Sequence, residues 1–524
     1  MRQPSLALGA VMGGLTALPL MALLFLGEQL AKLPFVPFDL FDWLARVLPG
    51  GVIAPGISAM VRVIGILNLG PMSDAAKLIE QLAGIGIMVG VGVFLGTATA
   101  WTLKHSAWSG WQVGAVGGVV AFLLTSVIEV NLGIAGNPVL ALLWMALLII
   151  GWGTLLGSML EAQAAPPLTK ENRAARRAVL IKIAGGSAAV ALGAWGLGRI
   201  LEAQRGAAVR VKPRVTRLPQ VPATPTSRHR VEPAPGTRLE LTPNEEFYRI
   251  DINTRPVSID GASWVLEVDG LFDNPRPLTL SDLTAYPTAT QTITLSCISN
   301  PIGGDLIGTC NWTGVRLRAL LEDLGLRPEA RELMVEGADG FYESVGMEDW
   351  TDPRTLLVYG MNGEILPVKN GFPLRIYIPD RYGLKLPKWI TRIEAIDHEG
   401  PGYWVERGWS AEARPQIVSV IDTVAKNSAV DGKVPVGGIA WAGDRGIQKV
   451  EVQVDGGEWV EATLLVPPLS PLTWVLWRYE WPMIADSHTF RVRAVEGSGA
   501  VQTEKAQGVR PYGATGYHWV TVTI

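Results

Sequence analysis

The chain's two cysteines, Cys297 and Cys310, are the residues whose type and spacing most directly suggest chemistry. Cys297 ends an apolar segment and precedes a glycine pair, Gly303-Gly304, and Cys310 follows it by thirteen residues. On spacing alone, two cysteines favour one disulfide in an oxidising compartment. A thiolate at the end of a strand could instead hold a soft metal ion. Two cysteines are too few for a disulfide scaffold, or for a zinc or iron–sulfur site built from cysteine.

The segments around these cysteines combine strands with short helices, which predicts an α+β domain. Trp264–Gly270 alternates as a strand does, and Leu374–Ile378 is a short apolar run typical of a buried strand. Leu280–Ala285 and Leu317–Leu324 have the apolar spacing of short helices.

From about residue 425 the pattern changes to strands and turns. Val450–Val454 alternates and leads into Asp455-Gly456-Gly457, a hairpin signal. Phe490–Val495 and Tyr517–Ile524 are further alternating strands. We predict a small antiparallel β-sandwich of immunoglobulin type.

Taken together, these segments resemble two consecutive domains of the sulfite oxidase family. Residues 242–424 are similar to its molybdopterin domain, and residues 425–524 to the β-sandwich dimerisation domain that follows. The resemblance covers about 280 residues and does not extend to the N-terminal part. The segments that carry it are Thr294–Asn300 around the strand-end cysteine, the W-x-G motif at Trp312-Thr313-Gly314, Met361–Pro367, Gly371–Arg375 and Lys388-Trp389-Ile390.

The resemblance implies a molybdenum–molybdopterin cofactor and a set of site residues. Cys297 would be the single protein thiolate on molybdenum, with Cys310 a buried bystander. Four residues match the family's catalytic and substrate-pocket positions, namely Arg249, Arg445, Trp312 and Tyr342. Cys297 and four others match cofactor-binding positions, namely Asn300, Arg375, Lys385 and Lys388. Arginine suits an oxyanion substrate because its planar fork donates two charge-assisted hydrogen bonds.

The chain departs from the animal and plant sulfite oxidases directly after Asn300. Those proteins carry an arginine there, whereas this chain continues Pro301-Ile302-Gly303-Gly304. The implied reaction is oxygen-atom transfer, and oxidation of sulfite to sulfate is the leading expectation. Because the pocket has one fewer cation than those of the animal and plant enzymes, the sequence does not decide whether sulfite is the preferred substrate. Reduction of a sulfoxide or nitrate at the same centre is the alternative enzyme. The alternative in which the chain is not an enzyme is a membrane-tethered β-rich interaction module with a Cys297–Cys310 disulfide.

The N-terminal part is a membrane domain by composition. The chain has a mean hydropathy of +0.25, and residues 1–165 contain only 6 Lys/Arg and 7 Asp/Glu. Uncharged runs at residues 3–27, 81–103, 106–128 and 130–160 predict four spans, and Val179–Ile200 a weaker fifth. Phe35–Leu69 is interrupted by charges, so we predict an amphipathic stretch in the membrane interface and do not count it as a span.

Basic residues in short loops predict the orientation. The loop Glu161–Arg177 carries four of them and Asn131–Pro138 none, which places the N-terminus inside and everything after residue 200 on the extracytoplasmic side. Arg176-Arg177, before a weakly apolar Gly/Ala segment, resembles a twin-arginine export signal. Two arginines that merely flank a span are the alternative.

The complete prediction is a multi-span α-helical anchor (1–204), a basic Pro-rich linker (205–240), an α+β molybdopterin domain (241–424) and the β-sandwich (425–524). The spans lack paired histidines and no CxxCH motif occurs, so we expect no haem or iron–sulfur cluster and an external cytochrome or quinone as electron acceptor. The net charge of −3 excludes a generally basic nucleic-acid binder. The expected partners are a small oxyanion such as sulfite, membrane lipid and a second copy in a homodimer.

Overall fold

The computed structural model describes residues 4–67, 69–133, 136–163, 181–182, 185–201 and 231–524. They belong to two compact units, one comprising Met1–Leu48 with Ala76–Lys212 and the other Pro49–Ala75 with Pro213–Ile524. The predicted export signal at Arg176-Arg177 and most of the linker 205–240 lie outside the described residues.

The N-terminal third is helical. Its helices are α1 (Leu6–Ala31), α2 (Val36–Val47), α3 (Gly50–Leu67), α4 (Met72–His105), α5 (Gly110–Leu132) and α6 (Pro138–Ala162). All except α2 are long and apolar enough to cross a membrane, and residues 185–201 are also helical. Four of these five overlap predicted spans, but α3 lies in Phe35–Leu69, which we had not counted. On length and composition α3 is a further candidate span, because Asp39, Asp42 and Arg46 fall in the separate helix α2 and leave only Arg62 in α3. Whether it crosses the membrane or lies in the interface is not decided by length and composition, so the interfacial position stays a prediction.

Small residues allow the helices of the first unit to pack closely. A Cβ built on Gly114 of α5 would lie 2.1 Å from the carbonyl oxygen of Gly153 on α6. A Cβ on Gly13 of α1 would lie 2.0 Å from the carbonyl oxygen of Gly92 on α4. The Trp152 indole donates a hydrogen bond of 2.9 Å to Thr16 Oγ1 and joins α6 to α1. Close backbone approach of this kind is how helices associate where lipid removes the hydrophobic driving force.

Two five-stranded sheets follow in the second unit. The first has the order β2-β1-β10-β5-β6, with β1 (Val265–Gly270), β2 (Leu278–Thr279), β5 (Glu332–Gly337), β6 (Tyr342–Gly346) and β10 (Ile390–Ile396). The other has the order β3-β4-β7-β8 with β9 paired to β7, from β3 (Thr288–Ser296), β4 (Ile307–Arg316), β7 (Leu356–Met361), β8 (Glu364–Ile365) and β9 (Arg375–Tyr377).

One apolar core joins both sheets to two of the three short helices of this region. These helices are α7 (Leu280–Ala285), α8 (Leu317–Leu324) and α9 (Met347–Thr351), and α7 and α8 contribute to that core. The predicted helices coincide with α7 and α8, and the predicted strands with β1 and β9.

The C-terminal strands form one curved sheet. Its order is β11-β12-β15-β14-β13-β16-β17, all antiparallel, from β11 (Val418–Val424), β12 (Lys433–Trp441), β13 (Ile447–Val454), β14 (Trp459–Leu465), β15 (Val475–Pro482), β16 (Ser487–Glu496) and β17 (His518–Thr523). The two ends approach each other, since the Ile421 amide on β11 donates to His518 Nδ1 on β17 at 3.0 Å. The predicted hairpin at Asp455-Gly456-Gly457 is present between β13 and β14. The immunoglobulin-type sandwich is not confirmed, because the sheet curls toward a barrel.

Gly314 of the W-x-G motif marks the closest approach of β4 to β7. The register shifts between Thr313 and Gly314, and a Cβ on Gly314 would lie 2.0 Å from the Leu357 carbonyl oxygen. We expect Gly314→Ala to lower the free energy of unfolding by about 1–3 kcal/mol, because backbone must move to admit the methyl group. Gly346→Ala is the matched control, since no atom lies within 4 Å of its Cβ position. Thermal unfolding of the detergent-solubilised chain checks this, and equal shifts for both variants would contradict it.

Candidate active site

Cys297 lies directly after β3 in a tight loop. Its amide donates to the Leu306 carbonyl oxygen at 2.9 Å, and the Asn300 amide donates to the Cys297 carbonyl oxygen at 3.1 Å. The side chain is 8% exposed, and Sγ lies 3.0 Å from Ser299 Oγ. Burial raises the pKa of the thiol, while the Ser299 hydrogen bond and the charge of Lys388 oppose that rise.

Cys310 occupies a different environment. It lies on β4 opposite Ile293, is fully buried, and burial raises the pKa of its thiol well above the ordinary range. Both cysteines are free thiols. The predicted alternative of a Cys297–Cys310 disulfide is therefore wrong, because Cys310 is held inside the strand while Cys297 is turned into the loop.

Arg375 is a buried cation without an acidic partner. It is 5% exposed on β9, its Nη1 donates to the Asn370 carbonyl oxygen at 3.1 Å, and its Nε has no hydrogen-bond partner. Among the described residues, no carboxylate forms an ion pair with it. Its guanidinium carbon lies 4.8 Å from the ring centroid of Trp312, whose buried Nε1 also lacks a partner. Burial lowers the pKa of Arg375 to about 10, so it stays charged at neutral pH.

Lys388 and Arg249 share a single carboxylate. Lys388 Nζ lies 3.1 Å from Asp251 Oδ2, and Arg249 donates to both oxygens of the same group at 2.6 and 2.9 Å. Burial lowers the pKa of Lys388 to about 8, an effect that Asp251 opposes and the nearby charges of Arg375 and Arg249 reinforce. Two cations thus share one acid, and Arg375 lies near enough to Lys388 for its charge to act on it, so this part of the fold carries excess positive charge.

Two of the predicted cofactor-binding residues have partners within the fold. Asn300 Oδ1 accepts from the Leu306 amide at 3.0 Å and so closes the loop that carries Cys297. Lys385 Nζ donates to Glu343 at 2.6 Å and to the Ser344 carbonyl oxygen at 2.9 Å. Burial raises the pKa of Glu343 to about 7.

Two of the predicted substrate residues also pair internally. The Tyr342 hydroxyl donates to Glu406, and its ring packs edge-on against Tyr403. Arg445 binds Glu496 at 2.6 Å and Asp380 at 3.0 Å, and its Nη2 donates to the Pro415 carbonyl oxygen at 2.7 Å.

Cys297, Arg249, Arg375, Lys388 and Trp312 are thus linked by contacts or by mutual charge effects, whereas Tyr342, Lys385 and Arg445 take part in other clusters. Sequence reasoning missed three residues of this region. Asp251 holds Arg249 and Lys388, and its position two residues after Arg249 is a signal that could have revealed it. Tyr248 is partly buried beside Cys297 and Arg375, and burial raises its pKa well above the ordinary range. Burial raises the pKa of Tyr382 to about 12, and the charges of Cys297 and Arg445 both act on it.

Comparison with known proteins identifies the domain that contains most of these residues. Residues 253–404 match the oxidoreductase molybdopterin binding domain. Sulfite oxidase of Arabidopsis thaliana is 30% identical over 334 residues, which are 51% of this chain and 84% of that protein. A putative protein-methionine-sulfoxide reductase subunit YedZ1 of Azospira oryzae is 32% identical over 152 residues, 29% of this chain and 56% of that protein. A chain of the sulfane dehydrogenase SoxCD from Paracoccus pantotrophus is 23% identical with a TM-score of 0.48, covering 61% of this chain and 90% of that one.

The fold, the strand-end thiol and the matching domain define a molybdopterin-dependent oxidoreductase. With a relative 30% identical along 84% of its length, the chain belongs to the sulfite oxidase family.

The residues present fit the molybdenum cofactor. A pterin phosphate is anionic, and Arg375 supplies a buried guanidinium with an unpartnered Nε and no acid beside it. A buried ion without a partner strongly destabilises a fold, so a bound anion beside Arg375 would be stabilising. Cys297 supplies the one soft thiolate, with Lys388 near enough to favour its charged form. Lys385, in contrast, has its charge compensated by Glu343.

The two thiols should differ in reactivity. In cofactor-free protein, iodoacetamide should modify Cys297 and leave the fully buried Cys310 intact. Because burial raises the pKa of Cys297, its thiolate fraction is small at pH 7.5, and the rate should still climb at pH 9, where an ordinary thiol with a pKa of about 8.5 levels off. Loading with the cofactor should protect Cys297. Peptide mass spectrometry measures both.

Variants supply the controls for that measurement. Cys297→Ser should remove the label and abolish turnover, whereas Cys310→Ser should label like the wild type and keep its activity. Equal labelling of both cysteines, or labelling of Cys297 that the cofactor does not reduce, would contradict the ligand role.

Proposed function

We propose that the chain is a membrane-anchored molybdenum enzyme that oxidises sulfite to sulfate. The observation that carries the proposal is the excess positive charge near Cys297: among the described residues, Arg249 and Lys388 share the carboxylate of Asp251, and no carboxylate forms an ion pair with Arg375. A site of this charge favours an anionic cofactor and a small oxyanion together. The bound cofactor would supply two-electron oxygen-atom transfer, while the protein supplies orientation and electrostatics.

Arg249 is the residue best placed to hold the anion. Asp251 binds its Nε and Nη2, which fixes the plane of the guanidinium, and Nη1 has no hydrogen-bond partner among the residues that the structure describes. A guanidinium held in one plane loses little further entropy when it binds an oxyanion. Arg445 differs, because Glu496, Asp380 and the Pro415 carbonyl oxygen take up its donors. We propose that Arg445 acts on the anion through its charge and by positioning Asp380.

Reduction of a sulfoxide is the second candidate function. It is favoured by the likeness to the Azospira protein, whose name describes a methionine-sulfoxide reductase subunit, and by Pro301 in place of an arginine. A neutral sulfoxide would need less positive charge than sulfite does. The positive charge of Arg249, Lys388 and Arg375 therefore favours sulfite, and the relative rates on the two substrates separate the candidates.

Oxidation of sulfite takes one oxygen atom from water and releases two protons and two electrons. We propose that an external cytochrome or quinone accepts the electrons, because the chain lacks paired span histidines and a CxxCH motif. We also propose that residues 425–524 form an immunoglobulin-like module through which two copies dimerise. Sedimentation of the solubilised enzyme, in which a monomer would contradict this assembly, tests the dimer.

Substrate binding can be tested at Arg249. We expect Arg249→Met to raise the KM for sulfite about ten- to hundred-fold with a smaller change in kcat, since a charge-assisted hydrogen bond contributes about 1.5–3 kcal/mol. Arg445→Met should raise KM in the same direction, because it removes a positive charge and the ion pair of Glu496 and leaves Asp380 with Arg414 alone. Arg318→Met, which removes an exposed arginine paired only with Glu322, is the control and should change nothing. Steady-state kinetics with sulfite and with methionine sulfoxide measure both effects. A wild-type KM for sulfite in Arg249→Met, or faster turnover of the sulfoxide than of sulfite by the wild type, would show that sulfite is not the substrate.

Location can be tested at Arg176-Arg177. We propose that these residues direct export of the folded, cofactor-loaded part by the twin-arginine route to the extracytoplasmic side. Replacing both by lysine should keep residues 231–524 inside, because the signal requires arginine although the charge is unchanged. Protease added to sealed spheroplasts should then cleave the wild type and spare the variant. Cleavage of both would leave positive-inside orientation as the explanation.

A further inference from the structure

Helix α3 is apolar around its whole circumference. Gly50–Leu67 contains one charged residue, Arg62. One side of the helix exposes Val52, Ala59, Val63 and Ile66, and Ile66 is 74% exposed. A helix that is apolar on every side is stable inside a protein or in lipid, but not in water. Ile64 is buried, but most of this helix is not covered by protein, so its exposed apolar area requires another partner.

Both ends of the segment that contains α3 contact the catalytic part of the chain, by which we mean residues 231–524. Gly50 packs so closely on Arg407 that a Cβ there would lie 2.8 Å from the Arg407 carbonyl oxygen. At the other end the Met72 amide donates a hydrogen bond of 3.0 Å to Asp305 Oδ2. Residues 49–75 and the catalytic part accordingly form one compact unit.

These two contacts are incompatible with α3 crossing a bilayer. Its 18 residues make a helix about 27 Å long, nearly the ~30 Å thickness of the hydrocarbon core. If it crossed, Leu67 would lie at the far side, and the five residues from Leu67 to Met72 extend at most about 18 Å. Met72 could not then return to a water-soluble domain that also holds Gly50.

We propose that α3 lies in the plane of the membrane, with its exposed side in the boundary between headgroups and acyl chains, and that it seats the catalytic part on the bilayer surface. We infer that the partner is the lipid bilayer, because the exposed surface of α3 consists mainly of apolar side chains and carries only the charge of Arg62. The attachment should therefore be insensitive to salt, unlike the binding of a polybasic segment.

This seating brings the bilayer next to the candidate site. Asp305 precedes Leu306, whose carbonyl oxygen accepts the Cys297 amide hydrogen bond. Arg407 follows Glu406, which accepts from the Tyr342 hydroxyl. The two contact points of the α3 segment thus lie on loops that carry or adjoin predicted site residues. An electron acceptor dissolved in the membrane would reach these loops without crossing bulk water.

Spin-label accessibility tests the proposal on the full chain in phosphatidylcholine–phosphatidylglycerol nanodiscs, with no requirement for activity. Val52→Cys, Ala59→Cys, Val63→Cys and Ile66→Cys each receive a nitroxide, in a chain that also carries Cys297→Ser and Cys310→Ser so that no other thiol is labelled. Leu143→Cys, on the exposed side of α6, is the hydrocarbon control, and Val430→Cys, exposed in the C-terminal sheet region, is the water control. Collision rates with oxygen and with a water-soluble nickel chelate give the depth of each label.

We expect all four α3 labels to lie at one shallow depth, about 5–10 Å below the headgroups, and to stay there in 1 M salt. A depth that rises to about 15 Å at Ala59 and falls again at both ends would show that α3 crosses the bilayer and would overturn the proposal. Nickel accessibility equal to that of Val430→Cys would overturn it as well, in favour of a water-exposed or protein-covered helix. Both results are independent of whether sulfite is the substrate.

Discussion

The candidate site depends on positive charge that the protein itself does not neutralise. Arg375 is buried against Trp312, with no acidic partner in the part of the chain that the structure describes, and Lys388 and Arg249 share Asp251. Burying such charge is costly unless an anion completes the site. In the apoprotein this buried positive charge lowers the free energy of unfolding, and an anionic cofactor would remove that penalty. Cofactor binding is therefore coupled to stability. The same field lowers the pKa of Lys388 and acts on the thiol of Cys297.

The rest of the fold holds these charges in place. The sheet of β3, β4, β7 and β9 supplies Cys297, Trp312 and Arg375 from neighbouring strands, so that backbone hydrogen bonds fix their spacing. Gly314 permits the close approach of β4 and β7 on which that spacing depends. The curved C-terminal sheet approaches the same region through Arg445, which pairs with Asp380. The pKa of Tyr382 responds to the charges of both Arg445 and Cys297.

The helices of the N-terminal part are held together by close backbone packing. In lipid, helices gain little from apolar contact with one another, so α5 and α6 associate through glycines that bring their backbones together. Helix α3 has no such packing over most of its surface, and its ends are held by Arg407 and Asp305. Hydropathy alone cannot distinguish a helix that crosses from one that lies flat. The distinction follows from where the two ends are attached.

Local patterns in the sequence determined much of this protein. Apolar runs indicated four of the span candidates, α7 and α8 had the predicted bounds, and short motifs around Cys297, Trp312 and Lys388 indicated the family. These features depend on neighbouring residues, so they can be recognised without a fold. The tertiary structure alone decided that Lys385 pairs with Glu343, 42 residues away, and Arg445 with Asp380, 65 residues away. It also decided that the C-terminal sheet curls and that both cysteines stay free, because ion pairing, closure and burial depend on which distant surfaces meet.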